Sequence, residues 1–191
     1  MNKIKYILAS KSPRRKELLS KIVEDFEIIT RETDETLPYG THPKEGVRLL
    51  AVRKGGAVCD EVGLDFLIIS SDTLVELDGV PLGKPADEED AVAMLLSLSG
   101  RVHNVHTGVA VHYKGKVYSG SDTSRVTFRN FDEQEARDYV STGEPMDKAG
   151  SYAIQGIGAR LVQKYEGDFD TIVGLSLKLT EKLIDEAIKN D

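Results

Sequence analysis

Phe66-Leu-Ile-Ile-Ser-Ser71 is an unbroken run of apolar and small residues, followed at once by Asp72. A strand without polar alternation is buried on both faces, and a sheet covered by helices provides that burial. This segment alone directs the chain toward a layered α/β architecture. Its neighbours agree. Residues 4–9 read as another buried strand, and residues 26–30 as a third. Between them, 13–22 predicts a helix with Leu18, Leu19 and Ile22 inward. Residues 44–62 predict a longer helix whose apolar stripe is Val47, Leu50, Ala51 and Val58.

The remaining segments follow the same logic. Leu74 to Leu77 continues extended into an Asp78-Gly79 turn, a hairpin signal. Residues 87–98 predict a helix with Ala91, Met94, Leu95 and Leu98 inward, stopped by Gly100. Residues 102–113 and 116–128 alternate apolar and polar side chains about Lys114-Gly115 and read as long hairpin strands. Then come a short helix at 132–141, a strand at 150–155, a hairpin of 159–166 with 169–173 turning at Gly167-Asp168, and an amphipathic helix at 180–189. No repeat, low-complexity tract or linker interrupts them. Interleaved helices and strands argue for one mixed α/β unit with two lobes and a cleft, and 191 residues suffice to build it.

Composition narrows the partners. A net charge of −7 argues against a nucleic-acid backbone, so any polyanion site must be a local basic pocket. The single Cys59 cannot form an internal disulfide, which fits a reducing cytosol. It sits in a helical pattern and reads as packing. No apolar run approaches the ~20 residues that span a bilayer. Met-Asn-Lys-Ile-Lys leads into a strand too short for a signal sequence. The expectation is a cytoplasmic protein without membrane or nucleic-acid partners.

The chemistry-bearing residues sit at element ends or on odd faces. In Ile7-Leu-Ala-Ser10-Lys-Ser12-Pro13-Arg14-Arg15 a strand runs into serines and a proline, and a helix then opens with two arginines. Ser12 suits the N-cap and Pro13 the first helical position. Two cations beside the amide donors of a helix start make an anion site suited to a phosphate chain, although a surface helix with a basic start looks the same. Lys54 falls on the apolar stripe of its helix, where it either meets an acid or snorkels to water. Asp72 closes the apolar strand, a place from which acids face a ligand crevice or cap a turn. Glu35, beside Asp34, lies in a long polar loop at 31–43; carboxylates there suit Mg²⁺ or are simply solvated. Lys84 stands between Gly83 and Pro85, a pattern shared with many surface turns. Gln155, between Ile154 and Gly156, offers a donor and an acceptor to a base edge or is an ordinary strand glutamine. His103 and His106 fit no common zinc spacing and read as structural or surface. Taken together, four cations (Arg14, Arg15, Lys54, Lys84) and two acids (Asp72, Glu35) match a nucleoside triphosphate with a divalent metal.

The ordered motifs Leu8-Ala-Ser-Lys-Ser-Pro-Arg-Arg15, Ser71-Asp-Thr73, Gly83-Lys-Pro85, Leu98-Ser-Gly100 with His103 and Thr107-Gly108, Gly143-Glu-Pro-Met-Asp-Lys-Ala-Gly150, Ile154-Gln-Gly156 and Val173-Gly-Leu175 resemble the Maf family of nucleotide pyrophosphatases over nearly the whole chain. The resemblance implies hydrolysis of a nucleoside triphosphate between the α and β phosphates. It assigns the catalytic base to Asp72 and metal binding to Glu35 and Asp72, with Mg²⁺ or Mn²⁺ as the cofactor. Ser10, Arg14, Arg15, Lys54, Thr73, Lys84 and Gln155 take substrate binding and specificity. It implies one domain over residues 1–191 with an elongated mixed sheet, flanking helices and two lobes around a central cleft, similar to inosine triphosphate pyrophosphatases. It further implies a homodimer, and the family has been linked to arrest of septum formation. The form looks like the branch acting on dTTP and UTP, with CTP and modified pyrimidine nucleotides as further substrates. The 7-methyl-GTP branch instead tends to carry a tryptophan after Ser-Pro. Ser71 and Ser176 stand where the family usually has alanine and proline, and Ser176 is expected to loosen the start of the last helix. A regulator of cell division that binds nucleotide without turnover is the alternative from another class.

Overall fold

The apolar run at 66–71 is the first half of a longer strand that continues to Leu77. In a computed structural model describing residues 4–189, the elements follow as β1 (Lys5–Leu8), α1 (Pro13–Leu19), β2 (Phe26–Ile28), α2 (Pro43–Val62), β3 (Phe66–Leu77), β4 (Val80–Leu82), α3 (Glu88–Leu98), β5 (Val102–Tyr113), β6 (Lys116–Phe128), α4 (Glu133–Val140), β7 (Val162–Glu166), α5 (Phe169–Val173) and α6 (Leu177–Lys189). The described strands form one mixed sheet in the order β2-β1-β3-β5-β6-β7, with β4 on β3. The start of the chain, on which the expectation about a signal sequence rests, lies partly outside the described residues. No helix among the described residues is long and apolar enough to cross a membrane.

Two compact units share the chain. One comprises the residues up to Asp72, Thr107–Asp122 and those from Gly174 onward; the other comprises Thr73–His106 and Thr123–Val173. In the first, β1 runs parallel to both β2 and β3, with Ile7 opposite Glu27 and Ile68. Ile7, Ala9, Val58 and Ile68 form a buried cluster against which Cys59 packs. Helix α2 buries the stripe expected of it, and it lies hard against the strands. A β-carbon at Gly108 of β5 would stand 2.2 Å from the Val47 carbonyl oxygen, and one at Gly55 would stand 2.5 Å from the His112 ring. The Ser70 hydroxyl donates to the Ala51 carbonyl at 2.7 Å, which pins the helix to β3.

In the second unit β4 folds back antiparallel on the end of β3, with Val75 opposite Leu82. Strand β7 runs antiparallel to β6, with Val126 opposite Tyr165. Val75, Leu95, Leu98, Val126, Phe128 and Tyr139 lie in its core. His103 is structural here: its Nε2 meets the Tyr152 hydroxyl at 2.8 Å, and its ring stands edge-on to Phe128.

Four expectations need correction. Asp72 does not end its strand; it sits inside β3, because Val75–Leu77 prolong the ladder by pairing with β4. Residues 150–155 are not a strand. The region holds three short 3₁₀ turns, Glu144–Asp147, Ala149–Ser151 and Ile157–Leu161, and Gln155 lies in a bend between the last two. Gly150 at φ 68° and Ser151 at φ 60° break any ladder there. Residues 169–173 form α5 rather than a strand, and the Asp168 carboxylate accepts the Asp170 N–H at 3.1 Å as that helix starts. Strand β7 therefore lacks its expected hairpin partner and pairs with β6 instead. Ser176 tightens the last helix rather than loosening it. Its hydroxyl accepts the Leu179 N–H at 3.3 Å and donates to Asp122 at 2.5 Å.

Gly108→Ala is expected to cost about 3 kcal/mol, because the facing atom is backbone and cannot step aside; denaturant unfolding measures it. Burial pushes the His103 imidazole down from 6.5 to about 4. The unfolded chain then binds the extra proton between those values, so stability is complete above pH 6.5 and falls as pH drops toward 4. The loss is about 3 kcal/mol, read as a pH-dependent unfolding midpoint whose slope flattens in His103→Phe.

Candidate active site

Side chains alternate along β3, so Ser70 and Asp72 share one face and Ser71 takes the other. The Ser70 face meets α2. Ala51 and Lys54, three residues apart, lie on the same side of that helix. The bond from Ser70 to Ala51 thus places Lys54 opposite Asp72, and the Lys54 ammonium reaches the Asp72 carboxylate at 2.5 Å. Its second acid is Glu35, at 2.7 Å. The Lys54 and Asp72 side chains are 21% and 12% exposed, whereas Glu35 is 62% exposed and approaches from the loop side.

That loop is held in place. Arg53 donates from one guanidinium nitrogen to the carbonyls of Asp34 at 3.1 Å and Thr36 at 2.6 Å, on either side of Glu35. The Asp34 carboxylate accepts the Thr36 N–H at 2.8 Å, so it shapes the turn. Bonds from the Thr36 side chain and backbone hold the Asp34 carboxyl below its usual range.

The arginine helix begins as its sequence dictates. Ser12 is the N-cap, its hydroxyl accepting the Arg15 N–H at 3.4 Å, and Pro13 follows it. The Arg15 Nε donates to the Gly174 carbonyl at 2.8 Å, and its Nη1 to the Ser10 hydroxyl at 3.4 Å. The same Gly174 oxygen accepts from Ser71 at 2.9 Å. Arg15 and β3 are thus tied to one carbonyl that lies 159 and 103 positions further along the chain. Burial pushes the Arg15 guanidinium below its usual value, Asp72 and Glu35 pull it up, and neighbouring Arg14 pushes it down. Ser10, Arg14, Arg15, Glu35, Lys54 and Asp72 therefore belong to one electrostatic cluster within one unit.

Thr73, Lys84 and Gln155 belong to the other unit. Thr73 follows Asp72 in β3. Lys84 is exposed just beyond β4, and the preceding Gly83 carbonyl accepts the Gly150 N–H at 3.0 Å. Gly150 also abuts Val75, two residues past Thr73. Gln155 is exposed.

The cluster can hold a hard cation. Two carboxylates already converge on one ammonium, and Mg²⁺ is often held by one or two carboxylates, with phosphates and waters completing its shell. No group of three or more His, Cys, Asp or Glu among the described residues could hold a metal by itself. A phosphate-bearing ligand would have to supply the rest. Sequence reasoning missed Arg53 and the Gly174 carbonyl. Arg53 sits one residue from Lys54 on a different helix face, and a backbone oxygen leaves no signature in a side-chain pattern.

A family model described as Maf-like protein matches residues 5–187. The chain is similar to a protein named dTTP/UTP pyrophosphatase from Bacillus velezensis, 46% identical over 180 residues that cover 94% of this chain and 95% of the relative. It is similar to another of that name from Pelotomaculum thermopropionicum, 47% identical over 173 residues that cover 90% of each. Its fold is similar to that of the Staphylococcus aureus Ham1 protein, with a TM-score of 0.51 at 16% identity over 97% of this chain and 95% of that one.

Arg53→Ala removes both bonds that flank Glu35. Amide exchange at residues 34–36 is expected to rise at least about tenfold while β3 amides keep their protection; hydrogen-exchange mass spectrometry reads this directly.

Proposed function

The chain belongs to the Maf family, and on that premise we propose that it hydrolyses dTTP and UTP to the nucleoside monophosphate and pyrophosphate. The observation that carries the reading is the Lys54 ammonium held between Glu35 and Asp72, with Arg15 in the same electrostatic field. One domain over the whole chain carries the activity.

Asp72 accepts a proton from a water as that water attacks the α-phosphorus. The bond to the bridging oxygen breaks and pyrophosphate leaves. Lys54 orients the Asp72 carboxylate before substrate arrives and then has phosphate oxygens as competing partners. Arg14 and Arg15 hold phosphate oxygens, and Ser10 fixes the Arg15 fork. Lys84 adds a further cation for the phosphates. Thr73 and Gln155 contribute to base specificity. Glu35 and Asp72 would hold a divalent cation, Mg²⁺ or Mn²⁺, which when bound would neutralise charge growing on the phosphates. The acidic body, with its one short basic cluster, suits a free nucleotide better than a nucleic-acid strand.

Incubation with dTTP, UTP or CTP and a divalent cation is expected to release pyrophosphate; release from none of them would leave only a binding protein. Asp72→Asn is expected to lose at least ~10²-fold in rate while still binding nucleotide, as loss of a positioned base does. Metal titration of that variant separates the two roles given to Asp72, because a lost ligand also lowers metal affinity.

A further inference from the structure

The bend that carries Gln155 lies outside the sheet, and two side chains hold it from within its own unit. Tyr139 of α4 is fully buried. Its hydroxyl accepts the Ala153 N–H at 3.1 Å and donates to the Glu144 carboxylate at 2.7 Å. Glu144 in turn accepts the N–H groups of Ile157 at 3.0 Å and Gly158 at 2.9 Å. One coupled pair therefore grips the backbone two residues before Gln155 and two and three residues after it.

The fit leaves no slack. A β-carbon at Gly156 would stand 2.3 Å from the Glu144 carboxylate, and one at Gly158 would stand 2.4 Å from the Tyr139 hydroxyl. Gly156 also adopts φ 130°, which side-chain-bearing residues rarely accept. Burial raises the Glu144 carboxyl, but the donors from Tyr139, Gly158 and Ile157 outweigh it and hold the group below its usual range. Burial, and then the bond to Glu144, push the Tyr139 hydroxyl up, so it stays a donor.

Three hydrogen bonds thus converge on a turn whose tip is an exposed polar side chain, and a fourth locks the two side chains that accept them together. A glutamine amide tells bases apart only through the direction of its donor and acceptor, and its own side-chain torsions leave the backbone as the fixed reference. A small displacement of that reference removes discrimination. We propose that Tyr139 and Glu144 are positioning residues that fix the Gln155 turn and thereby set the choice among nucleobases. This rests on the assignment of Gln155 to base recognition made above.

The experiment measures kcat and KM separately for UTP, dTTP, CTP and GTP in the unaltered protein and in Tyr139→Phe, Glu144→Gln and Gln155→Ala. The expected result is that the first two variants lose about tenfold or more of the preference among bases. KM should rise for the preferred triphosphates and kcat should change little on the disfavoured ones, following the pattern of Gln155→Ala. An equal fall on all four substrates in Tyr139→Phe and Glu144→Gln means a merely structural brace and overturns the proposal. Unchanged selectivity in these two, with lost selectivity in Gln155→Ala, overturns it while sparing the assignment of Gln155. Unchanged selectivity in Gln155→Ala removes that assignment, and the proposal with it. Should Glu144→Gln not fold, Tyr139→Phe keeps the ring and carries the same test.

Discussion

A lysine on the inward face of a helix stays there only if anions meet it. Taking an ammonium out of water costs several kcal/mol unless it is paired, and removing one partner of a buried pair costs more than the pair contributes. Lys54 meets that condition with Asp72 and Glu35, one from the sheet and one from a loop. The pairing joins three elements that the chain delivers separately. Removing the lysine would leave two carboxylates facing each other, so the three groups are best regarded as a single electrostatic object.

That object depends on how near α2 lies to the strands. Gly55 and Gly108 place bare backbone where any side chain would intrude, and Ser70 bonds the Ala51 carbonyl from the sheet side. The helix then has one position and one rotation. Lys54 follows from that placement, three residues along the helix from the pinned Ala51. Packing and chemistry are thus the same contact described at two levels. A similar economy holds at Glu35, where Arg53 secures the loop through main-chain oxygens and leaves the Glu35 carboxylate to Lys54.

Much of this was legible beforehand where a periodic signal was long. The strands 102–113 and 116–128 appear with the expected ends about Lys114-Gly115, although β5 is buried along nearly its whole length rather than on alternate residues. Helix α2 buries Val47, Leu50, Ala51 and Val58, and the misplaced charge at Lys54 proved the most informative residue in it. Short segments misled. Thr171-Ile-Val173 has strand-like side chains, yet five residues bonded through Asp168 close as a helix. Around Gln155, glycines with positive φ outweighed the apolar neighbours. Asp72 looked like a strand terminus because aspartate is rare inside ladders; the Asp78-Gly79 hairpin appears as expected, and the pairing of β3 with β4 makes the segments on either side of Asp72 one strand. Ser176 was misjudged because its partner, Asp122, is 54 residues away in sequence.

The carbonyl of Gly174 accepts from Arg15 across 159 positions of sequence. Contacts that distant form late, since the intervening loop must close before they return any free energy. On a ribosome Arg15 emerges 159 residues before the oxygen that orients its guanidinium. A stalled nascent polypeptide would carry the cations without their anchor. Orientation of that guanidinium therefore waits on the segment that carries Gly174.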